Sequence, residues 1–155
     1  MSYKVIALPT AVAEAVRRDM LSPKYRHPAN RSLATGYGPC CHCLYTFKQR
    51  EEDRILFTYD PFDGISEFAL PGPIYIHAEA CPRYPEEGGF PEPLLQHSLT
   101  IQAYGDDRRL IEEVRFEGTS VEPLLTKLLA DAATTYLHVR DTKAGCYDFR
   151  VERAE

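Results

Sequence analysis

Gly72-Pro73-Ile74-Tyr75-Ile76-His77-Ala78-Glu79-Ala80-Cys81 is the stretch that decides how the rest of the chain is read. Side chains alternate across a strand. That alternation puts Ile74, Ile76 and Ala78 on one face and Tyr75, His77, Glu79 and Cys81 on the other. The first row needs a core. The second carries thiol, imidazole, carboxylate and phenol side by side, an unusual set for a plainly wetted strand.

The same division recurs near the C-terminus. Strands over 134–140 and 145–152, joined by a turn at 141–144, put Leu137 and Val139, then Tyr147, Phe149 and Val151, on apolar rows. The opposite parity carries Tyr136, His138 and Arg140, then Cys146, Asp148 and Arg150. An antiparallel sheet often faces water on one side, and such alternation alone is explained by that. The Tyr, His, Cys and Arg content of these rows points instead to a covered face, a cleft with Gly72 to Cys81 as its floor.

Elsewhere the pattern predicts a strand at 3–8 and a helix over 11–21 capped by Thr10, with Val12, Ala15, Val16 and Met20 at helical spacing. Pro23 stops that helix, and 22–39 reads as loop, ending in Gly36-Tyr37-Gly38-Pro39. A hairpin follows, with strands at 44–48 and 55–59 about a charged turn. Prolines crowd 61–93, and the long 82–97 connection reads as a flap or binding loop. A second hairpin spans 98–104 and 110–117. A helix over 121–131, capped by Ser120, carries Val121, Leu124, Leu125, Leu128 and Leu129 on one stripe. Short turns make antiparallel neighbours. The expectation is one α+β domain over all 155 residues: a mostly antiparallel sheet of about seven strands, with two helices packed on one face.

Composition narrows the function. A net charge of −5 with no Lys/Arg block excludes a broad nucleic-acid surface, although Arg17/Arg18 and Arg108/Arg109 are paired. No apolar run approaches the roughly 20 residues that span a bilayer. No basic leader precedes an apolar stretch, so the expected location is the cytoplasm. Five cysteines, an odd number, read as free thiols, metal ligands or redox pairs, not a disulfide framework. An exposed edge strand would offer a route to self-association.

Three chemistries fit. Cys40 and Cys43 stand at C-x-x-C spacing with His42 between them, the arrangement by which two thiolates grip one tetrahedral zinc from a turn. A second close pair is missing, and an assembly of Cys40, Cys43, His77 and Cys81 would supply it. The Cys40/Cys43 pair also suits dithiol redox work, but it runs into an apparent strand instead of a helix N-terminus. His77, Glu79 and His138 suit acid–base chemistry, with Arg140 holding an anionic substrate. Against each stands the plainer possibility of histidines satisfied by neighbouring polar groups and a Glu79 paired across strands.

Gly36-Tyr37-Gly38-Pro39-Cys40-Cys41-His42-Cys43-Leu44, Tyr59-Asp60-Pro61-Phe62, Gly72 to Cys81, Tyr136-Leu137-His138-Val139-Arg140 and Gly145-Cys146, in this order, resemble the bacterial family called domain of unknown function 1203. The resemblance implies Cys40, His42, Cys43, His77, Glu79 and His138 as site residues, leaves Cys41 incidental, and supplies no reaction. Combined with the residue chemistry, it makes Cys40, His42, Cys43 and Cys81 the expected metal ligands, with zinc the expected ion. His77, Glu79, His138 and Arg140 are the expected catalytic set. The leading expectation is a Cys/His/Glu-lined cleft that binds a small molecule or a transition metal, with catalysis left open. A metal-free interaction or structural domain is the alternative, and a thiol-redox protein using Cys40 and Cys43 is the third.

Overall fold

The computed structural model describes residues 2–154. Its elements are β1 (Tyr3–Ile6), α1 (Thr10–Asp19), β2 (Asn30–Leu33), β3 (Asp53–Tyr59), β4 (Gly72–His77), β5 (Leu99–Tyr104), β6 (Leu110–Phe116), α2 (Glu122–Ala130), β7 (Tyr136–Asp141) and β8 (Tyr147–Arg153), with a 3-10 turn at Glu92–Gln96. The α+β class holds, and the strands divide between two antiparallel sheets. One has five strands in the order β1-β8-β7-β5-β6, and the other has three in the order β2-β3-β4.

Each helix serves its own core. The apolar stripe of α2 (Leu125, Leu128, Leu129) packs on Ile101, Leu137, Val139, Phe149 and Val151 of the five-stranded sheet. Ala13 and Val16 of α1 pack with Ile55, Phe57, Ile74 and Ile76 of the three-stranded sheet, and Cys40, Cys41 and Cys43 belong to that second core. The inward rows of β4, β7 and most of β8 follow the alternation read from sequence.

Four expectations are corrected. The 44–48 segment is not a strand: Leu44 turns left-handed at φ 59°, its amide bonds back to the Cys40 carbonyl at 2.8 Å, and its apolar residues are consumed as core contacts from a loop. The partner of β3 is instead β2, in register Asn30↔Leu56 to Leu33↔Asp53. This strand is exposed along its whole length, so burial imposes no alternation on it. Neither helix is capped by its expected residue: no side chain caps α1 or α2, and Thr10 bonds His42 instead. Finally, residues 82–97 are no flap. Phe90 and Leu94 are buried in the first core, and the Glu86 carbonyl accepts from the Val5 amide at 3.0 Å.

Register shifts between Val139 and Arg140, where Phe149 is opposite Val139 and Tyr147 is opposite Arg140. Such a bulge changes the side on which a residue emerges. Tyr147 therefore leaves the Phe149 row and joins His138, whose ring lies 4.9 Å from its own. Phe149 anchors the opposite side, fully buried and edge-on to Phe90 at 5.3 Å. We expect Phe149→Ala to cost about 3–5 kcal/mol in urea unfolding. A loss under about 1 kcal/mol would show that this ring does not hold the first core together.

Candidate metal centre

A tight turn carries the first two thiols. The Cys40 amide donates to the Tyr45 carbonyl and the Leu44 amide to the Cys40 carbonyl, so Cys40 and Cys43 face the same side. Gly38 makes the turn possible. It sits at φ +93°, and a Cβ there would stand 2.6 Å from the Phe47 ring, so only glycine fits. The Cys41 amide donates to the Tyr75 carbonyl at 2.9 Å and the His77 amide to Cys40 Sγ at 3.3 Å. These two bonds dock the turn on β4.

His77 ends β4, and the chain bends to bring Cys81 back. The donor atoms of Cys40, Cys43, His77 and Cys81 then lie within 4.8 Å of one another. Cys40 Sγ to Cys81 Sγ is 3.9 Å, and Cys43 Sγ to His77 Nδ1 is 3.4 Å. A tetrahedral zinc with Zn–S about 2.3 Å and Zn–N about 2.0–2.1 Å separates its ligands by about 3.5–3.8 Å. The Cys40–Cys81 and Cys43–His77 pairs already stand near those spacings.

Its surroundings match those of metal-bound side chains. His77 presents Nδ1 to the thiols, while Nε2 meets Glu52 Oε1 at 3.2 Å, the carboxylate–imidazole pairing that fixes a ligand's ring and tautomer. Glu52 is itself held by the Lys48 amide at 2.8 Å. Arg17, in the last turn of α1, donates from Nε to the His77 carbonyl and from Nη2 to Cys81 Sγ at 3.2 Å. His42 Nδ1 is 3.2 Å from the same sulfur, and its Nε2 is 2.9 Å from Thr10 Oγ1.

Among the protein groups alone, hydrogen bonds from the Cys40 and Cys43 thiols, and then from His77 and His42, hold Cys81 far below the usual thiol range. Cys43 is pushed far above it by its bonding to Cys40 and Cys81 and then by burial. His77 is raised to about 10, first by Cys40 and then by Cys81, against the opposing effect of burial. The protein groups alone thus favour one thiolate, at Cys81, beside a protonated His77, with Cys43 keeping its proton.

The expected ligand set is therefore reordered. Cys40, Cys43 and Cys81 converge; His77 contributes the fourth donor atom, and His42 lies beside Cys81. Arg17 and Glu52 were not expected at all. Arg17 shows in sequence only as a basic residue at a helix end, and Glu52 only as part of a charged turn.

The expected catalytic set does not come together. Glu79 lies beyond β4, its side chain 84% exposed and 3.3 Å from Arg31. His138 is fully buried in the other sheet, ringed by Phe62, Tyr104, Tyr136 and Tyr147 at centroid distances of 4.8–5.2 Å. Neither of its nitrogens has a hydrogen-bond partner among the described residues. Arg140 follows it on β7 and lines a separate cavity.

The model of the family described as Protein of unknown function (DUF1203) matches residues 37–153. The chain belongs to this family. The matched span of this DUF1203 member includes Cys40, Cys43, His77 and Cys81 together with His138, and excludes α1 with Arg17. No curated protein and no solved structure matches the chain. Among the described residues no helix is long and apolar enough to cross a membrane.

Burial first, then Arg140 and Arg150, lowers the His138 pKa to about 2 from 6.5. A histidine whose folded pKa is depressed stays neutral in the native state and takes up its proton only on unfolding. Its contribution to stability is therefore lost as pH falls below about 6.5, with a slope approaching 1.4 kcal/mol per pH unit. We expect His138→Phe to flatten the stability–pH profile by about that slope between neutrality and about pH 5. Parallel profiles for the two proteins would show that His138 does not titrate between the folded and unfolded states.

Proposed function

We propose that this protein is a zinc protein, with the ion held by Cys40 Sγ, Cys43 Sγ, His77 Nδ1 and Cys81 Sγ. One observation carries this reading. Donor atoms from two chain segments, more than thirty positions apart, stand within 4.8 Å of one another. Soft thiolates with one imidazole select zinc over magnesium or calcium. Three thiolates exceed the charge of a divalent ion by one, and the Arg17 guanidinium sits against that excess at Cys81.

Four protein ligands leave no position for water or substrate, so the ion serves structure rather than hydrolysis. It clamps the Cys40–Cys43 turn to the end of β4 and, through Arg17, to α1. The thiols then function as ligands and not as a redox pair, which suits a cytoplasmic protein whose cysteines are all free.

Protein purified without a metal-affinity tag should contain close to one zinc per chain by elemental analysis. Cobalt substitution should give the intense visible bands of a tetrahedral thiolate site. Chelator should lower the unfolding midpoint, and Cys43→Ser or Cys81→Ser should lose the metal. Metal-free protein whose unfolding ignores chelator would refute the proposal. Ligands and supporting residues separate in a second measurement. Glu52→Gln should retain the cobalt spectrum but bind zinc about 10–100-fold more weakly, and His42→Ala should keep full stoichiometry. Loss of the metal in His42→Ala would make His42 a ligand.

A further inference from the structure

A second feature lies between the two sheets, away from Cys40, Cys43 and Cys81, with Cys146 in its lining. Tyr59, Gly72, Gln102, Tyr104, Arg140 and Tyr147 line a cavity of about 300 Å³, at the lower end of the size range of small-ligand sites, which begins at about 300 Å³. Its origin can be traced in the strands. Gly72 shares the inward parity of Ile74 and Ile76, which are buried and fill the space beneath β4. Gly72 has no side chain to fill it, and an added Cβ would meet no atom within 4 Å. The bulge in β8 then brings the Tyr147 ring to the same space.

Arg140 is held in place there. Its Nε donates to Gln102 Oε1 at 2.9 Å, and one Nη donates to the Gly145 carbonyl at 3.2 Å. Gln102 is fixed in turn by the Tyr104 hydroxyl, at 3.1 Å, and by donating to Glu113 at 2.8 Å. Among the described residues the remaining guanidinium N–H groups have no acceptor beyond these two, and Arg140 makes no ion pair. The neighbouring Asp148 is buried, and its carboxyl is pushed well above the carboxylate range, by burial first and then by Asp141. The phenols of Tyr59 and Tyr147 are likewise raised by burial. The nearest other carboxylates are engaged elsewhere, Glu113 by the Gln102 amide and Asp141 by the Ala144 amide, and neither forms an ion pair with Arg140 among the described residues; burial keeps the imidazole on its own strand, His138, neutral.

We infer that this cavity binds a small monocarboxylate with a flat apolar body. The planar guanidinium matches a carboxylate in shape and charge, and tyrosine and proline surfaces suit a flat apolar group. Gln102 pre-positions the cation, so little ordering remains to oppose binding. The cavity shares no lining residue with the thiol–imidazole cluster, and the inference does not rest on the metal reading.

The test is an amide-resolved NMR titration of the protein, as purified, with benzoate, its neutral analogue benzamide, and inorganic phosphate. Benzoate should give saturable shifts at Gly72, Gly145 and Arg140 Nε–H, in the millimolar range or tighter. Benzamide and phosphate should not saturate there. Arg140→Gln should weaken benzoate by about 10–100-fold, the loss of one charged hydrogen-bonding partner. Gly72→Leu should abolish binding while keeping the wild-type spectrum elsewhere. Because Arg140 also braces the β7–β8 turn through Gly145, Gly72→Leu decides the matter if Arg140→Gln fails to fold. The inference is overturned if benzoate does not saturate, if benzamide binds equally, if phosphate binds more tightly, or if Gly72→Leu binds benzoate as well as wild type.

Discussion

The meeting of Cys40 and Cys43 with His77 and Cys81 sets the arrangement of one half of this molecule. The turn that carries the first two thiols has little regular structure of its own, and α1 makes few apolar contacts beyond Ala13 and Val16. Both are positioned by groups that converge on the cluster: the His77 amide on Cys40, Arg17 on Cys81 and the His77 carbonyl, and Thr10 on His42. A buried thiol is often only a small apolar filler. Here Cys41 fits that description, with its sulfur 3.4 Å from the Tyr147 carbonyl. Its two neighbours in the motif do not.

The contrast between His77 and His138 shows why site location and site chemistry separate. Both histidines alternate with apolar residues along their strands. One ends its strand beside three thiols and a carboxylate. The other is enclosed by four aromatic rings, with Arg140 and Arg150 acting on it. Their protonation is driven in opposite directions, His77 toward about 10 and His138 toward about 2. Alternation reports which face a residue takes, and the groups on the neighbouring strand determine what it does there.

Much of the architecture was legible because burial imposes a period. The rows of β4 and β7 and the stripe of α2 follow from it, and short turns give the pairing of β5 with β6. Legibility failed where that constraint is absent or broken. β2 is exposed and carries no alternation. Leu44 and Phe47 are buried from a loop, so their apolarity imitates a strand. Tyr147 was placed with Phe149 because a bulge cannot be seen in a two-residue period. For the candidate site, the C-x-x-C spacing and the His77/Cys81 pair are visible in the sequence, and an assembly of the four is one of the readings they support. The parts supplied by Arg17 and Glu52 were not, since a charged side chain on a helix or in a turn reads as solvated until its partner is known.

The bulge opposite Arg140 has a consequence for how this chain can change. Beyond it, residues 149 and 151 face the α2 core, and before it Tyr147 faces the space between the sheets. The turn at 142–146 therefore sets which side chain arrives at which surface, as well as joining two strands. Shortening that turn by a single residue would exchange the ring of Tyr147 for the carboxyl of Asp148, and lengthening it by one would exchange the ring for the thiol of Cys146, in a layer made almost entirely of aromatic groups. Drift in loop length, tolerated at most surface turns, is closed to this one.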